Sequence, residues 1–409
     1  MTMLTVDEAR ARVLEAIHPL EPVESLVGDA LGKVVADDLL ASHPLPRFDN
    51  SAMDGYAIIA ADVASASGSG PVLLELAGEV RAGQPADQKV LPGTAIRIMT
   101  GAPVPEGADA IVPVEDTEES GESVSIATPT APGRHVRPAG DDLAAGDVLV
   151  RAGIELGPGE LALLASTGMS PLRVRERPRV AILVTGDELV PPEATPGPGR
   201  IRDSNSVALR ALVTEAGGAA IPFPPIPDER ELVVAEFRRA ATLADLVVSS
   251  GGVAVGRYDF VKEVVEELGR IDMWRVAMQP GKPVVLGAVE STPFLGLPGN
   301  PVSIHVGFEQ FVRPAIRKMR GCRFLLRPTI EARLTDTIHK RPGRLHFVRV
   351  RLRFDGEEWF AAPTGGQGSH VQSSLVECSG VARFEREESE LQAGSKVIVE
   401  VWKLPEVEA

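Results

Sequence analysis

Between residues 179 and 303 the same local pattern occurs three times: a short apolar run ends abruptly in a turn built from small, conformationally permissive residues. Leu246, Val247 and Val248 run into Ser249-Ser250-Gly251-Gly252. Arg179 to Val184 runs into Thr185-Gly186-Asp187-Glu188, and Pro293 to Leu297 into Pro298-Gly299-Asn300-Pro301. Helix-period segments separate these runs, at 204–216, 230–241, 259–268 and 302–319. Strands that alternate with helices point to an α/β sheet with helices on both faces. In a parallel sheet the three turns fall beyond the carboxyl ends of their strands, where open α/β folds bind ligands. A Ser/Gly turn exposes backbone N–H groups and can cradle an anion, although a single such turn is more often only a turn.

The rest of the chain has a different texture. Thr5-Val6-Asp7-Glu8 fits a capping box that opens an amphipathic helix on Val6, Ala9, Val13 and Ile17. Residues 44–140 break into short apolar runs punctuated by Pro and Gly, a β-rich pattern. Residues 151–168 read as a connector and a short helix. Beyond Arg327 the helical period disappears, and Phe347 to Phe354 alternates apolar residues with Arg349, Arg351 and Arg353. That stripe reads as a solvated outer strand face and receives no catalytic role.

Composition narrows the function. A chain of 409 residues exceeds one ordinary core and divides into several domains of roughly 100–200 residues each. The net charge of −15 disfavours nonspecific nucleic-acid binding, which needs a basic field. No apolar run reaches the ~18 residues of a membrane span, and the N-terminus lacks a secretory pattern. The two cysteines, Cys322 and Cys378, offer neither a disulfide framework nor a CxxC site, so a cytoplasmic protein is expected.

No Cys–His pair or zinc-type cluster is apparent, and His305, inside an apolar helix pattern, reads as packing. The candidate chemistry lies in loop carboxylates: Asp54, Asp141, Asp142, Asp187, Glu188, Asp228 and Asp259. Oxygen-rich loops suit Mg2+, which bridges one or two carboxylates and a phosphate. Each taken alone also reads as a turn or helix cap. Glu188 and Asp259 stand out because both adjoin Gly-rich turns on the same expected sheet edge. Lys282, in Gln279-Pro280-Gly281-Lys282-Pro283, is a point charge for phosphate on a loop stiffened by Pro and Gly, with a solvated loop lysine as the alternative.

Six segments together resemble the molybdenum insertase family, the bacterial MoeA proteins and the C-terminal domain of gephyrin: PLPRFDNSAMDGYAI (44–58), RIMTGAPVPEGADAIVP (97–113), TGDEL (185–189), SSGGVAVGRYD (249–259), PGKP (280–283) and GLPGNPVS (296–303). The resemblance covers nearly the whole chain. It implies a multidomain α/β plus β protein and a homodimer. The implied regions are an N-terminal helix (1–26) packed with the α/β domain, a connecting domain (27–45 and 140–177), an inserted β-rich domain (46–139), a molybdopterin-binding α/β domain with a parallel-type sheet (178–326) and a C-terminal β-barrel (327–409).

The reaction implied takes adenylylated molybdopterin and molybdate with Mg2+, releases AMP and leaves molybdenum on the dithiolene. By position in the matching motifs, Asp54, Thr100, Glu188, Asp228 and Asp259 take catalytic places. Asp142, Glu188 and Asp259 take metal-holding ones. Ser249, Ser250, Gly251, Gly252, Lys282, Pro298, Gly299, Asn300 and Pro301 take molybdopterin-binding ones. The family's cleft joins two subunits, which would bring Asp54 and Thr100 to the site. The molybdopterin adenylyltransferase is the implied partner, and a gephyrin-type dimeric scaffold the alternative function. The chain departs from the family at Gln279, where a basic residue is frequent, and carries Arg275 where Lys is common.

Overall fold

In a computed structural model, residues 3–252 and 260–405 are described, and they fall into two compact units. Asp259 lies outside the described residues.

One unit, residues 38–151 and 158–170, carries a six-stranded mixed sheet. Gly55–Ile58 lies between Ala110–Pro113 and Thr94–Ile98, antiparallel to both, and Val72–Val80 continues the sheet in parallel with Thr94–Ile98. Both faces are buried. Tyr56, Ile58, Leu74 and Val112 feed one apolar cluster, while Ala57, Ile96, Ile98 and Ile111 feed the other, as the two-residue period of a strand dictates. Gly55 has no room for a side chain, since a Cβ there would lie 2.0 Å from the Val112 carbonyl oxygen.

The other unit, residues 1–37, 152–157 and 171–409, centres on a second six-stranded sheet in the order Ala219–Pro222, Arg179–Val184, Leu246–Ser250, Thr292–Leu297, Val285–Val289, Gly269–Trp274. The first four strands are parallel, and the last two close one edge antiparallel. The sheet is therefore mixed rather than wholly parallel, and its edge strands Ala219–Pro222 and Gly269–Trp274 are not distinguishable as strands in the sequence pattern.

Alternation along Arg179–Val184 sorts the two cores of this unit. Val180, Ile182 and Val184 face a cluster with Leu209, Val213, Phe308 and Ile316, whereas Ala181 and Leu183 face Val233, Phe237, Val261 and Val265. The N-terminal helix Val6–Ala16 joins the first cluster through Val6, Ala9 and Val13. Its capping box is formed: the Glu8 amide donates to Thr5 Oγ1 (3.2 Å) and the Thr5 amide to Glu8 Oε2 (2.8 Å). The helical stretch from Pro301 to Met319 is one path with a π-helical segment, Phe308–Val312, between two α segments.

In the C-terminal region Thr329–Leu334, Trp359–Pro363, Leu345–Phe354, Gly380–Phe384 and Lys396–Val401 close a five-stranded barrel. A short strand of the α/β region, Met278–Gln279, pairs with Leu345 and His346 and ties the barrel to the loop that carries Lys282. The arginine stripe divides here. Arg351 and Arg353 are exposed as expected, but Arg349 is fully buried and donates to Ser374 Oγ (3.0 Å), Gly366 O (3.1 Å) and Gly368 O (3.3 Å). The reading of the whole stripe as a solvated face is corrected: closure of the barrel covers one of three residues that a period-2 pattern treats alike.

His346 is buried against Phe384, neither ring nitrogen has a hydrogen-bond partner among the described residues, and burial with the nearby Arg349, Lys340 and Arg344 charges pushes its pKa down to about 4. Unfolding therefore takes up a proton between the ordinary pKa and about 4, so stability is full above the unfolded value and is lost as pH falls through that window. The linkage amounts to about 3 kcal/mol. His346→Phe should flatten the loss between pH 7 and pH 4.5 in urea-unfolding midpoints; an unchanged pH profile would show that other groups carry it.

Candidate functional site

The three turns that recur in the sequence lie side by side. The Thr185 amide donates to Ser250 O (3.3 Å), the Gly251 amide to Leu297 O (3.1 Å) and the Gly186 amide to Ile226 O (3.1 Å). Asn205 Nδ2 bridges two of the loops, bonding Ser250 Oγ (3.1 Å) and Gly299 O (2.8 Å). This crowding explains the glycines: both Gly251 and Gly252 have positive φ, and a Cβ would meet Thr185 O at 3.0 Å and Val261 Cγ2 at 2.3 Å respectively.

Beside the turns opens a cavity of about 570 Å3. Gly251, Gly252, Pro298, Gly299 and Asn300 form one wall, and the Gln279–Pro283 loop forms a second. The third wall comes from the barrel: Arg344, Gln367, Gly368 and Ser369. The Val302 amide donates to Ser369 O (3.2 Å), and Arg349, through its bonds to Gly366 and Gly368, holds that loop from behind. Among the described residues of the lining, Lys282 and Arg344 are the charged ones, both cationic, with Ser303, Asn300 and Ser369 as neutral hydrogen-bonding groups. In a chain of net charge −15 this is a local concentration of positive charge. Asn300 caps the helix that starts at Pro301 with its backbone only, leaving its side-chain amide uncommitted to the cap.

The sequence-derived residues separate into groups. Gly251, Gly252, Lys282, Pro298, Gly299 and Asn300 line the cavity, and Pro301 opens the helix next to them. Ser249 and Ser250 are fully buried within their strand and are not among the described lining residues; Ser249 Oγ has no hydrogen-bond partner among the described residues. Glu188 and Asp228 sit on the adjoining loops, joined where Thr185 pairs with Ile226. There Asp187 and Asp228 exchange bonds, the Asp228 amide donating to Asp187 Oδ1 (3.1 Å) and the Asp187 amide to Asp228 Oδ2 (3.4 Å). Asp54, Thr100 and Asp142 belong to the other compact unit.

In that unit Asp54 Oδ1 accepts from the Thr100 amide (2.7 Å) and from Thr100 Oγ1 (2.8 Å), and these bonds hold its carboxyl below the ordinary carboxylate range. Thr100→Val keeps the amide and removes the hydroxyl, so the Asp54 pKa should rise; a carboxyl resonance titrating at the wild-type pH would count against this coupling.

Five cavity residues escaped the sequence reading: Ser303, Arg344, Gln367, Gly368 and Ser369. Ser303 lies one turn into a helix whose start was recognised. The others stand in polar loops between barrel strands, and no local period distinguishes such loops from ordinary turns. Among the described residues no three His, Cys, Asp or Glu side chains converge on a metal position. A Mg2+ ion commonly needs only one or two carboxylates, with water and substrate phosphate completing its shell.

Comparison with known proteins gives a consistent picture along the whole chain. Family models described as the MoeA N-terminal region (domains I and II), a probable molybdopterin binding domain and the MoeA C-terminal region (domain IV) match residues 4–168, 181–318 and 331–402. Molybdopterin molybdenumtransferase 2 of Mycobacterium tuberculosis is 38% identical over 408 residues, covering 98% of this chain and 100% of that protein. The molybdopterin molybdenumtransferase of Haemophilus influenzae is 35% identical over 97% of this chain and 98% of its own. The crystal structure of a molybdopterin biosynthesis MoeA protein from Pyrococcus horikoshii superposes with a TM-score of 0.85 at 32% identity, covering 98% and 100% of the two chains.

Proposed function

This chain belongs to the MoeA family of molybdopterin molybdenumtransferases, and from that premise we propose that it is the molybdenum insertase of molybdenum cofactor biosynthesis. Its substrates are adenylylated molybdopterin and molybdate; the pyrophosphate link is cleaved, AMP leaves, and molybdenum remains on the dithiolene. The observation that carries this reading is the cationic cavity where three Gly-rich turns meet the barrel.

Lys282 supplies a compact charge and Arg344 a planar fork, so together they hold an oxyanion from two directions. Gly251, Gly252 and Gly299 let the ligand approach the backbone closely, and Pro298 and Pro301 stiffen the turn that bears Asn300. Glu188, Asp228 and Asp259 take the acidic roles at the reacting phosphates, with Asp54 and Thr100 supplied by the inserted domain of a second subunit in a homodimer. Asp142, Glu188 and Asp259 would hold Mg2+, which when bound neutralises charge on the phosphate oxygens.

No helix among the described residues is long and apolar enough to cross a membrane. We assign the work to the cytoplasm, with the molybdopterin adenylyltransferase as the source of substrate.

The test supplies adenylylated molybdopterin and molybdate with Mg2+ and measures AMP release and molybdenum retained on the pterin. Neither product from folded protein would overturn the reading. Gln279, a neutral residue on the cavity wall, gives a second measurement. Gln279→Lys adds a third cation to the lining and should tighten molybdate binding about tenfold at low salt, an effect that salt erodes. An unchanged dissociation constant would mean that Gln279 does not face the bound anion.

A further inference from the structure

The Arg344 side chain lines the cavity, and among the described residues it has no carboxylate partner and no hydrogen bond that would aim it. Its direction is therefore set by the backbone that carries it. That backbone is the loop between the short strand Ile338–His339 and the barrel strand Leu345–Phe354, folded back on itself at Gly343, where φ is 103°.

One side chain crosses this loop from its first residue to its last. Lys340 Nζ donates to Arg344 O (3.1 Å) and to Arg386 O (3.0 Å), and it lies 4.9 Å from the centre of the Phe384 ring. The Gly343 amide donates to the same Arg386 carbonyl (2.8 Å), and the Lys340 amide to Ser389 O (2.9 Å). On the other side of Arg344, the Leu345 amide donates to Ala277 O (3.0 Å), next to the loop that carries Lys282.

Lys340 is half-buried and makes no ion pair among the described residues, although the facing chain 385–390 holds four glutamates. Glu385 and Glu387 pair instead with Arg383 and Arg386. The ammonium group spends its donors on two carbonyls and its charge on a ring face. Such a contact set fixes backbone and gives little to solubility.

We propose that Lys340 is a positioning residue for Arg344: by gripping the Arg344 carbonyl it holds the guanidinium at the cavity wall before an anion arrives. A cation held in place loses less freedom on binding, so affinity rises with no added contact to the ligand. This inference rests on the reading of that cavity as an anion site.

The experiment titrates molybdate into the full-length protein by calorimetry and follows amide hydrogen exchange without ligand. Lys340→Met should weaken molybdate about tenfold, and Lys340→Arg, which keeps the charge and several donors, should stay within about threefold of the wild type. Arg344→Ala should also weaken binding, and adding Lys340→Met to it should change nothing further, because Lys340 acts through Arg344. Exchange at the Gly343 and Leu345 amides should be faster in Lys340→Met. If Lys340→Met does not fold, Lys340→Gln, which keeps a side-chain donor, takes its place in the same cycle.

Wild-type affinity in Lys340→Met, or an equal loss from it in the Arg344→Ala background, overturns the inference: the second result is that of a side chain that merely stabilises the barrel. Molybdate that fails to bind the wild type, while loop exchange still quickens in Lys340→Met, overturns the anion reading of the cavity and leaves Lys340 as the holder of the Arg344 loop.

Discussion

Replacing Glu188 by alanine should lower turnover by about a hundredfold or more while leaving the unfolding midpoint unchanged. The loop that carries Glu188 is held by its backbone, whose carbonyl accepts from the Ile201 amide at 2.7 Å. Among the described residues its carboxylate makes no hydrogen bond or ion pair, so the fold does not depend on it. The neighbouring Asp187 and Asp228 differ, because their carboxylates cap each other's loops. Asp228→Ala should therefore lose stability together with activity. Single-turnover AMP release and urea unfolding on the same preparations separate the two outcomes. A Glu188→Ala protein with lowered stability and normal turnover would return Glu188 to a structural role.

The second large effect concerns the joint between the long helical stretch and the barrel. Glu309, in the π-helical segment, has a side chain only 2% exposed and takes both arms of Arg327, each at 2.9 Å. Arg313 adds a contact at 3.8 Å, and Arg327 also reaches Glu215 (2.8 Å) and Trp402 O (3.3 Å). Burial works to lower the Arg327 pKa, but its bonds to the Glu309 carboxylate hold it above the ordinary value.

Glu309→Ala leaves these guanidinium groups without their buried counter-charge and should cost about 3–5 kcal/mol. Glu309→Ala combined with Arg327→Met should recover part of that loss, because an apolar pair carries no unpaired charge. Urea midpoints for the three proteins test this; a double variant no better than the single one would rule out the charge as the cause. The site should respond as well. The helix bearing Glu309 begins at the cavity wall, and the chain beyond Arg327 supplies Arg344 and Ser369. Molybdate affinity in Glu309→Ala should fall with stability.

The same elements show where local pattern is sufficient. A capping box is written in four adjacent residues, and Thr5 and Glu8 form it as expected. Apolar runs ending in Gly-rich turns declare strand ends, and the strands end there. The Ser249–Gly252 turn shows the limit of that signal: composition treats its four residues as one loop, but the strand continues through both serines and the open surface begins at Gly251. Arg349, Arg351 and Arg353 show it again, since spacing alone makes them equivalent.

The chain by itself determined the alternation of strand and helix, the three anion-capable turns, the family, and Lys282 as a cation beside them, because each is encoded in short-range order. Only the tertiary structure decided that a barrel loop completes the cavity and that Arg349 is a buried clamp. These depend on contacts between residues far apart in sequence. Arg344 and Ser369 reach the Gly-rich turns because the barrel closes and Gln279 pairs with His346, and no local propensity carries that information.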